Sequence, residues 1–295
     1  MDRVSAVSTD MIDIAAISQL LTEWGRGNDF QRQWPTLVPN NASQHEFLNW
    51  YKENWRFSQM VKIEGLISHQ CIDLDCQLPQ DVLYSNGFDR LGDNELGMVT
   101  RFDLSGGLSV STQPAHIIAD EKLYAGLQID IKQAKIYNIP RLQFPLVNIR
   151  HSRTAELWMT IPNTPFNEPD DIRLFRFASD VMAAKNELFH RVRDGWAYIE
   201  VPKVSATVCH SAEWLNGLTI NGYTLRQILQ VGNLEISERS IWRTMTFGPQ
   251  VASEVLEGPP AISFDRDFIV WTTHLRGQVI SPVIHVRTDM WQEVK

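Results

Sequence analysis

The chain has 295 residues, 43% of them apolar, and sets 27 basic against 35 acidic side chains for a net charge of −8. This is the composition of an ordinary folding chain, not of a disordered or fibrous one, and at this length a core needs neither disulfides nor a metal to hold it. Nucleic acid is a poor partner, because the longest basic cluster is Arg150, His151 and Arg153, whereas phosphate-backbone binding needs a concentrated Lys/Arg face.

Met1, Asp2 and Arg3 are soon followed by Asp10 and Asp13, so no basic segment precedes an apolar run, and nowhere do 18 apolar residues follow one another. These features lead us to expect a cytoplasmic protein without a membrane segment. Cys71, Cys76 and Cys209 are odd in number and are expected to be reduced, packed thiols.

Ser8 to Trp24 places Ile14, Ile17, Leu21 and Trp24 at spacings of three and four, which predicts an amphipathic helix. Ser43 and Glu46 suggest a capping box for a second helix, in which Phe47, Tyr51 and Trp55 recur every four residues as far as about Phe57. From Val61 the period becomes two: Ile63, then Leu127, Ile129 and Ile131, then Ala155, Leu157, Met159 and Ile161 alternate with polar or outward residues. Asn86-Gly87, Gly92-Asp93 and Gly106-Gly107 punctuate these runs as turns between antiparallel hairpins. Asp170 and Asp171 open a third helix with Ala178, Val181, Leu188 and Val192 on its apolar face and Gly195 as its stop. Beyond it, Trp196 to Val208, Ile241 to Phe247, Ile262 to His274 and Gln278 to Val286 read as strands, with a short helix from Thr224 to Val231 stopped by Gly232. Helices followed by mostly antiparallel strands predict an α+β fold. With no repeat or linker, residues 1–295 are expected to form one domain: 1–60 helical, 61–140 strand-rich, and 144–286 with the motifs that follow.

The order of segments from Phe144 to about Val286 resembles the second half of a serpin. Phe144-Pro145-Leu146 and Ala155 to Asn163 are similar to the serpin strand ending in an aliphatic-Leu-Pro-Asp/Asn turn. Tyr198 to Val204 resembles the "LPKF" strand, and Tyr223-Thr224-Leu225 through Leu229 and Gly232 resembles the "YDL…L…LG" segment. Phe264 to Val270 is similar to the "F-x-A-D-R/H-P-F-L-F" signature, and Gly277 to Pro282 to the "G-R-V-x-x-P" ending. The resemblance implies a serpin-like fold, with mostly antiparallel sheets and a reduced helical layer, since residues 1–140 show no matching motif. It also implies a strand before the reactive loop at Ile241-Trp242-Arg243-Thr244-Met245, where the family's buried His is replaced by Trp.

Serpins trap proteases by inserting a long loop of small residues as a new central strand after cleavage. The corresponding loop here would span Gly248 to Ser263, 16 residues that reach roughly 50 Å at about 3.3 Å each. One parity of an inserted strand buries Ala252, Glu254 and Leu256, and the other Val251, Ser253, Val255 and Glu257. Both place a carboxylate against the core, at a cost of several kcal/mol, and Pro249, Pro259 and Pro260 remove ladder donors. The expectation is a non-inhibitory protein. Gln250, Glu254, Leu256 and Glu257 are its candidate loop residues, and a protease inhibitor acting by simple loop blockade would need Val255-Leu256-Glu257 exposed and cleavable.

Trp24, Trp34, Trp50 and Trp55 place four indoles within 32 residues. They are either the lining of a site for a small apolar ligand or a protein partner, or the filling of a thin helical layer. A lined cavity would also suit an enzyme of small-molecule biosynthesis acting on a hydrophobic substrate by isomerisation or cyclisation, which needs few recognisable groups. His69, Cys71, Asp73 and Asp75 alternate on a strand, but adjacent ligands about 6.6 Å apart do not converge on one ion, so no metal or cofactor is expected. His274 near Asp265 and Arg266, and His151 between Arg150 and Arg153, are candidates for acid-base pairs, or else satisfied side chains. Nucleotide-loop, nucleophile-elbow and zinc-protease motifs are absent.

Overall fold

The computed structural model describes residues 7–8, 11–26, 36–58, 64–69, 91–104, 108, 110–150, 155–164, 171–187, 195–238, 260–274 and 279–294. Three sheets organise them. The first has seven strands: β1 (Val7–Ser8), β3 (Leu37–Val38), β4 (Glu64–His69), β5 (Glu95–Leu104), β12 (Val204–Ser211), β13 (Thr219–Ile220) and β14 (Tyr223–Ile236). The second, in spatial order, contains β2 (Met11–Ile12), β17 (Val279–Val286), β16 (Phe268–His274), β10 (Ala155–Thr160), β9 (Leu146–Arg150) and β8 (Ala134–Tyr137). The third is β15 (Ala261–Ser263), β11 (Tyr198–Pro202), β7 (Lys122–Asp130) and β6 (Thr112–Ala119). Three α-helices, α1 (Ile14–Arg26), α2 (Ala42–Ser58) and α3 (Asp171–Glu187), complete the described architecture. It is α+β and mostly antiparallel, as the sequence pattern predicts.

The second sheet is buried on both faces, which explains its dense apolar runs. On β10, Leu157 and Met159 enter one core with Leu127, Ile199, Val201 and Phe264, while Trp158 between them enters a second core under the helices. Phe268 and Val270 of β16 likewise face the first core, and Ile269 and Trp271 the second. The expectation that residues between Leu157 and Met159 point outward is thereby corrected.

The first helix starts later than its stripe suggests. Val7-Ser8 pairs in parallel with β12 and Met11-Ile12 pairs with β17, and Asp13 caps α1 by accepting the Ala16 N–H at 3.0 Å. The cap of α2 is also displaced from Ser43 and Glu46. Asn41 accepts the Gln44 N–H at 2.9 Å, Gln44 Oε1 accepts the Asn40 N–H at 2.8 Å, and Glu46 pairs with Arg176 of α3. Trp196 to Val208 is two strands on different sheets, because Lys203 breaks the run and bonds to Ala125 and Gln292.

The largest correction concerns Thr224 to Val231, which belongs to the 14-residue strand β14 and not to a helix. A bulge between Leu225 and Gln227 shifts the register, so Leu225 and Ile228, three apart, face the same core and imitate a helical repeat. β14 is central: it pairs antiparallel with β12 over Ser211 to Val204 and parallel with β5 from Thr224↔Glu95 to Leu234↔Leu104. No strand lies between β5 and β14. Between the described ends of β14 and β15 lie 24 residues, Ser237 to Pro260. Ile241 to Phe247, Gln250, Glu254, Leu256 and Glu257 lie outside the described residues.

Candidate functional site

The surface of α2 carries a concavity. A groove of about 500 Å³ runs between α2 and β3, with Leu37, Leu48 and Tyr51 supplying apolar surface and Pro39, His45, Asn49 and Lys52 completing its wall. Its position follows from how α2 is held. Gln44 is buried and donates through Nε2 to the carbonyls of Trp214 and Asn216, both at 3.0 Å, so the start of α2 is tied to the turn before β13. Gly217 is required in that turn: its φ is +84°, and a Cβ there would lie 2.0 Å from Asn40 Nδ2. β3 is fixed to β13 by Thr219↔Val38 and Ile220↔Leu37. From within, the Tyr51 hydroxyl contacts Thr22 Oγ1 of α1 at 2.6 Å, and Phe47 packs edge-on against Trp214 at 5.7 Å.

Trp24, Trp50 and Trp55 are not among the described residues that line this groove. Trp24 meets Tyr223 edge-on at 5.9 Å, Trp50 meets Phe175 of α3 at 5.4 Å, and Trp55 lies under the Arg56 guanidinium at 5.5 Å. All three are half-buried against the second core. Trp34 lies outside the described residues, as do His151, Cys71, Cys76, Asp73 and Asp75; His69 ends β4. Among the described residues, no group of three His, Cys, Asp or Glu is placed to hold a metal.

A second cluster of polar groups is buried where α1, β14, β16 and β17 meet. Asp13 is 2% exposed; its carboxylate accepts from Ser281 Oγ and the Ala16 N–H, and its own N–H donates to Gln230 Oε1 at 2.7 Å. Gln230 in turn donates to the Met11 carbonyl at 3.3 Å. Thr272 donates to the Ser281 carbonyl and meets His274 Nε2 at 3.2 Å. Burial raises the Asp13 pKa above 3.8 against the pull of these hydrogen bonds, and burial lowers that of His274 below 6.5 despite the Asp13 charge. The Ser281 hydroxyl donates a hydrogen bond to Asp13, while His274 Nε2 meets Thr272 Oγ1. This cluster ties the central strand to the helix. His274 therefore belongs with Thr272 and Asp13; Asp265 and Arg266 pair with each other on the surface at 3.0 Å.

Cys209, in β12, is 2% exposed, and burial pushes its thiol up to about 11, leaving it protonated at neutral pH. No helix among the described residues is long and apolar enough to cross a membrane.

The sequence matches no family model and no curated protein. The fold has solved counterparts. Thyroxine-binding globulin in its complex with thyroxine superposes with a TM-score of 0.54 at 12% identity, covering 95% of this chain and 92% of that one. SRPN18 from Anopheles gambiae gives 0.51 at 11% identity over 96% and 99% of the two chains, and Serpin48 from the insect Tenebrio molitor gives 0.51 at 12% over 95% and 92%. The chain has the serpin fold. The similarity reaches well beyond the span from Phe144 to Val286 in which the sequence carries serpin-like motifs.

Proposed function

We infer that this serpin-fold protein is non-inhibitory and binds a small apolar ligand in the groove between α2 and β3. The groove itself carries the reading: about 500 Å³ is the size of a drug-sized ligand site, and apolar surface with a few polar groups at its edge is the usual lining of one. Thyroxine-binding globulin, whose solved structure is a complex with thyroxine, is a serpin-fold protein holding a small molecule, so the scaffold is compatible with such a role.

The non-inhibitory half rests on the connector. An inserted strand beginning after Glu238 would, in one parity, turn Arg239 and Arg243 against the core and, in the other, Trp242; further along, one parity carries Glu254 and the other Glu257. A buried unpaired charge costs several kcal/mol, and a central strand accepts bulk only where space exists.

Plugging the groove tests the binding half. Asn49 is exposed on α2, so Asn49→Trp fills the cavity without touching the core. A panel of apolar small molecules followed by calorimetry should include a binder of the native chain that loses at least about tenfold in affinity in Asn49→Trp, with an unchanged melting temperature. Equal affinity for both chains, or no binder at all, refutes the assignment.

A further inference from the structure

We propose that the ligand is an amphipathic anion, an alkyl or aryl carboxylate whose head group is held by Lys52 and His45 and whose body lies on Leu37, Leu48 and Tyr51. This rests on the ligand-binding reading above and adds the chemical class.

Charge complementarity carries it. The chain as a whole is acidic, with a net charge of −8, yet the described residues lining the groove include no carboxylate and do include a lysine, a histidine and an asparagine amide. His45, Asn49 and Lys52 are spaced four and three residues apart on α2, which sets them in one row along the helix. The buried Leu48 and Tyr51 border that row, so the donors run beside an apolar floor. Of the acidic neighbours on α2, Glu46 is drawn off by its ion pair with Arg176 of α3, and Glu53, exposed next to Lys52, is likewise not among the described lining residues. A lysine ammonium offers a point charge with three donors and the asparagine amide two more, a set that suits acceptor-only oxygens. A ligand cation would meet Lys52 with nothing among the described lining residues to neutralise it, and a wholly apolar ligand would gain nothing from these exposed donors.

Decanoate, methyl decanoate and decyltrimethylammonium share one chain and differ in head-group charge. Titrated by calorimetry into the native chain, Lys52→Met and His45→Gln, decanoate should bind the native chain at least about threefold more tightly than the other two. Lys52→Met should remove most of that preference while leaving methyl decanoate binding unchanged, and raising the salt concentration should weaken decanoate alone. Equal binding of the three probes, or a decanoate preference that survives in both variants, overturns the anionic class while the groove remains a binding site. Failure of all three probes overturns the class, and the groove assignment itself then stands or falls on the Asn49→Trp comparison with the wider panel.

Discussion

Asp13→Ala lowers the unfolding free energy by about 3 kcal/mol at neutral pH, whereas Asp13→Asn leaves it within about 1 kcal/mol of the native chain. Alanine removes the cap of α1, a loss of about 0.5–2 kcal/mol. It also strands the buried Ser281 hydroxyl, which otherwise donates to Asp13, at about 1–3 kcal/mol. Asparagine keeps an oxygen where Ala16 and Ser281 donate, and it avoids the desolvated charge that pushes the Asp13 pKa up. The pH dependence separates the two contributions. An acid whose folded pKa is raised above 3.8 adds stability that is full below 3.8 and is lost as pH rises through the folded value. His274 has the opposite sign: with its folded pKa below 6.5, stability is full above 6.5 and is lost as pH falls through the folded value. Chemical denaturation across pH should therefore show Asp13→Asn gaining on the native chain as pH rises. Equal losses in Asn and Ala would mean that the carboxylate charge itself stabilises the junction.

Gly232→Ala is expected to destabilise by about 3 kcal/mol, an unusual cost for a single methyl group. Gly232 sits in the middle of β14 opposite Phe102 of β5, and a Cβ there would lie 2.3–2.4 Å from three atoms of the Phe102 ring. The ring covers the strand at the position where β5 and β14 meet, and backbone on both flanks prevents β14 from moving away. Overpacking of a tight core costs about 1–3 kcal/mol, occasionally more. A double-mutant cycle with Phe102→Ala checks the cause: the double variant should lose less than the sum of the two singles, by about 1 kcal/mol or more. Strict additivity would show that the cost is not steric.

Much of the fold is legible in the sequence because it depends on local periodicity. The stripe of Ile14, Ile17 and Leu21, the Phe47 and Tyr51 spacing, and the alternation of Leu127, Ile129, Leu157 and Met159 all report real elements. β14 is misread for a physical reason: its bulge places Leu225 and Ile228 on one face at a spacing that a regular strand never gives. The candidate sites are much less legible. Asp13 meets Gln230 and Ser281 across 217 and 268 residues, and no local pattern encodes such a meeting. The groove residues His45, Asn49 and Lys52 do leave a trace, a polar row at helical spacing beside Leu48 and Tyr51. That row becomes a wall only because β3 is carried there by β13, far along the chain. The dense tryptophans Trp24, Trp50 and Trp55 are half-buried beside the helical core, and Trp34 lies outside the described residues.

The central claim, proposed above, is that this serpin fold does not take up its own loop, because the connector sequence carries Arg239, Trp242, Arg243, Glu254 and Glu257 across both strand parities. The direct measurement is the melting temperature before and after a glutamate-specific protease cuts the connector at Glu254 or Glu257, with a denaturing gel alongside. The account predicts a change of less than about 5 °C and only free cleavage products. A rise of more than about 10 °C, several kcal/mol at roughly 2–4 °C per kcal/mol, or a detergent-resistant complex with the protease, would contradict it.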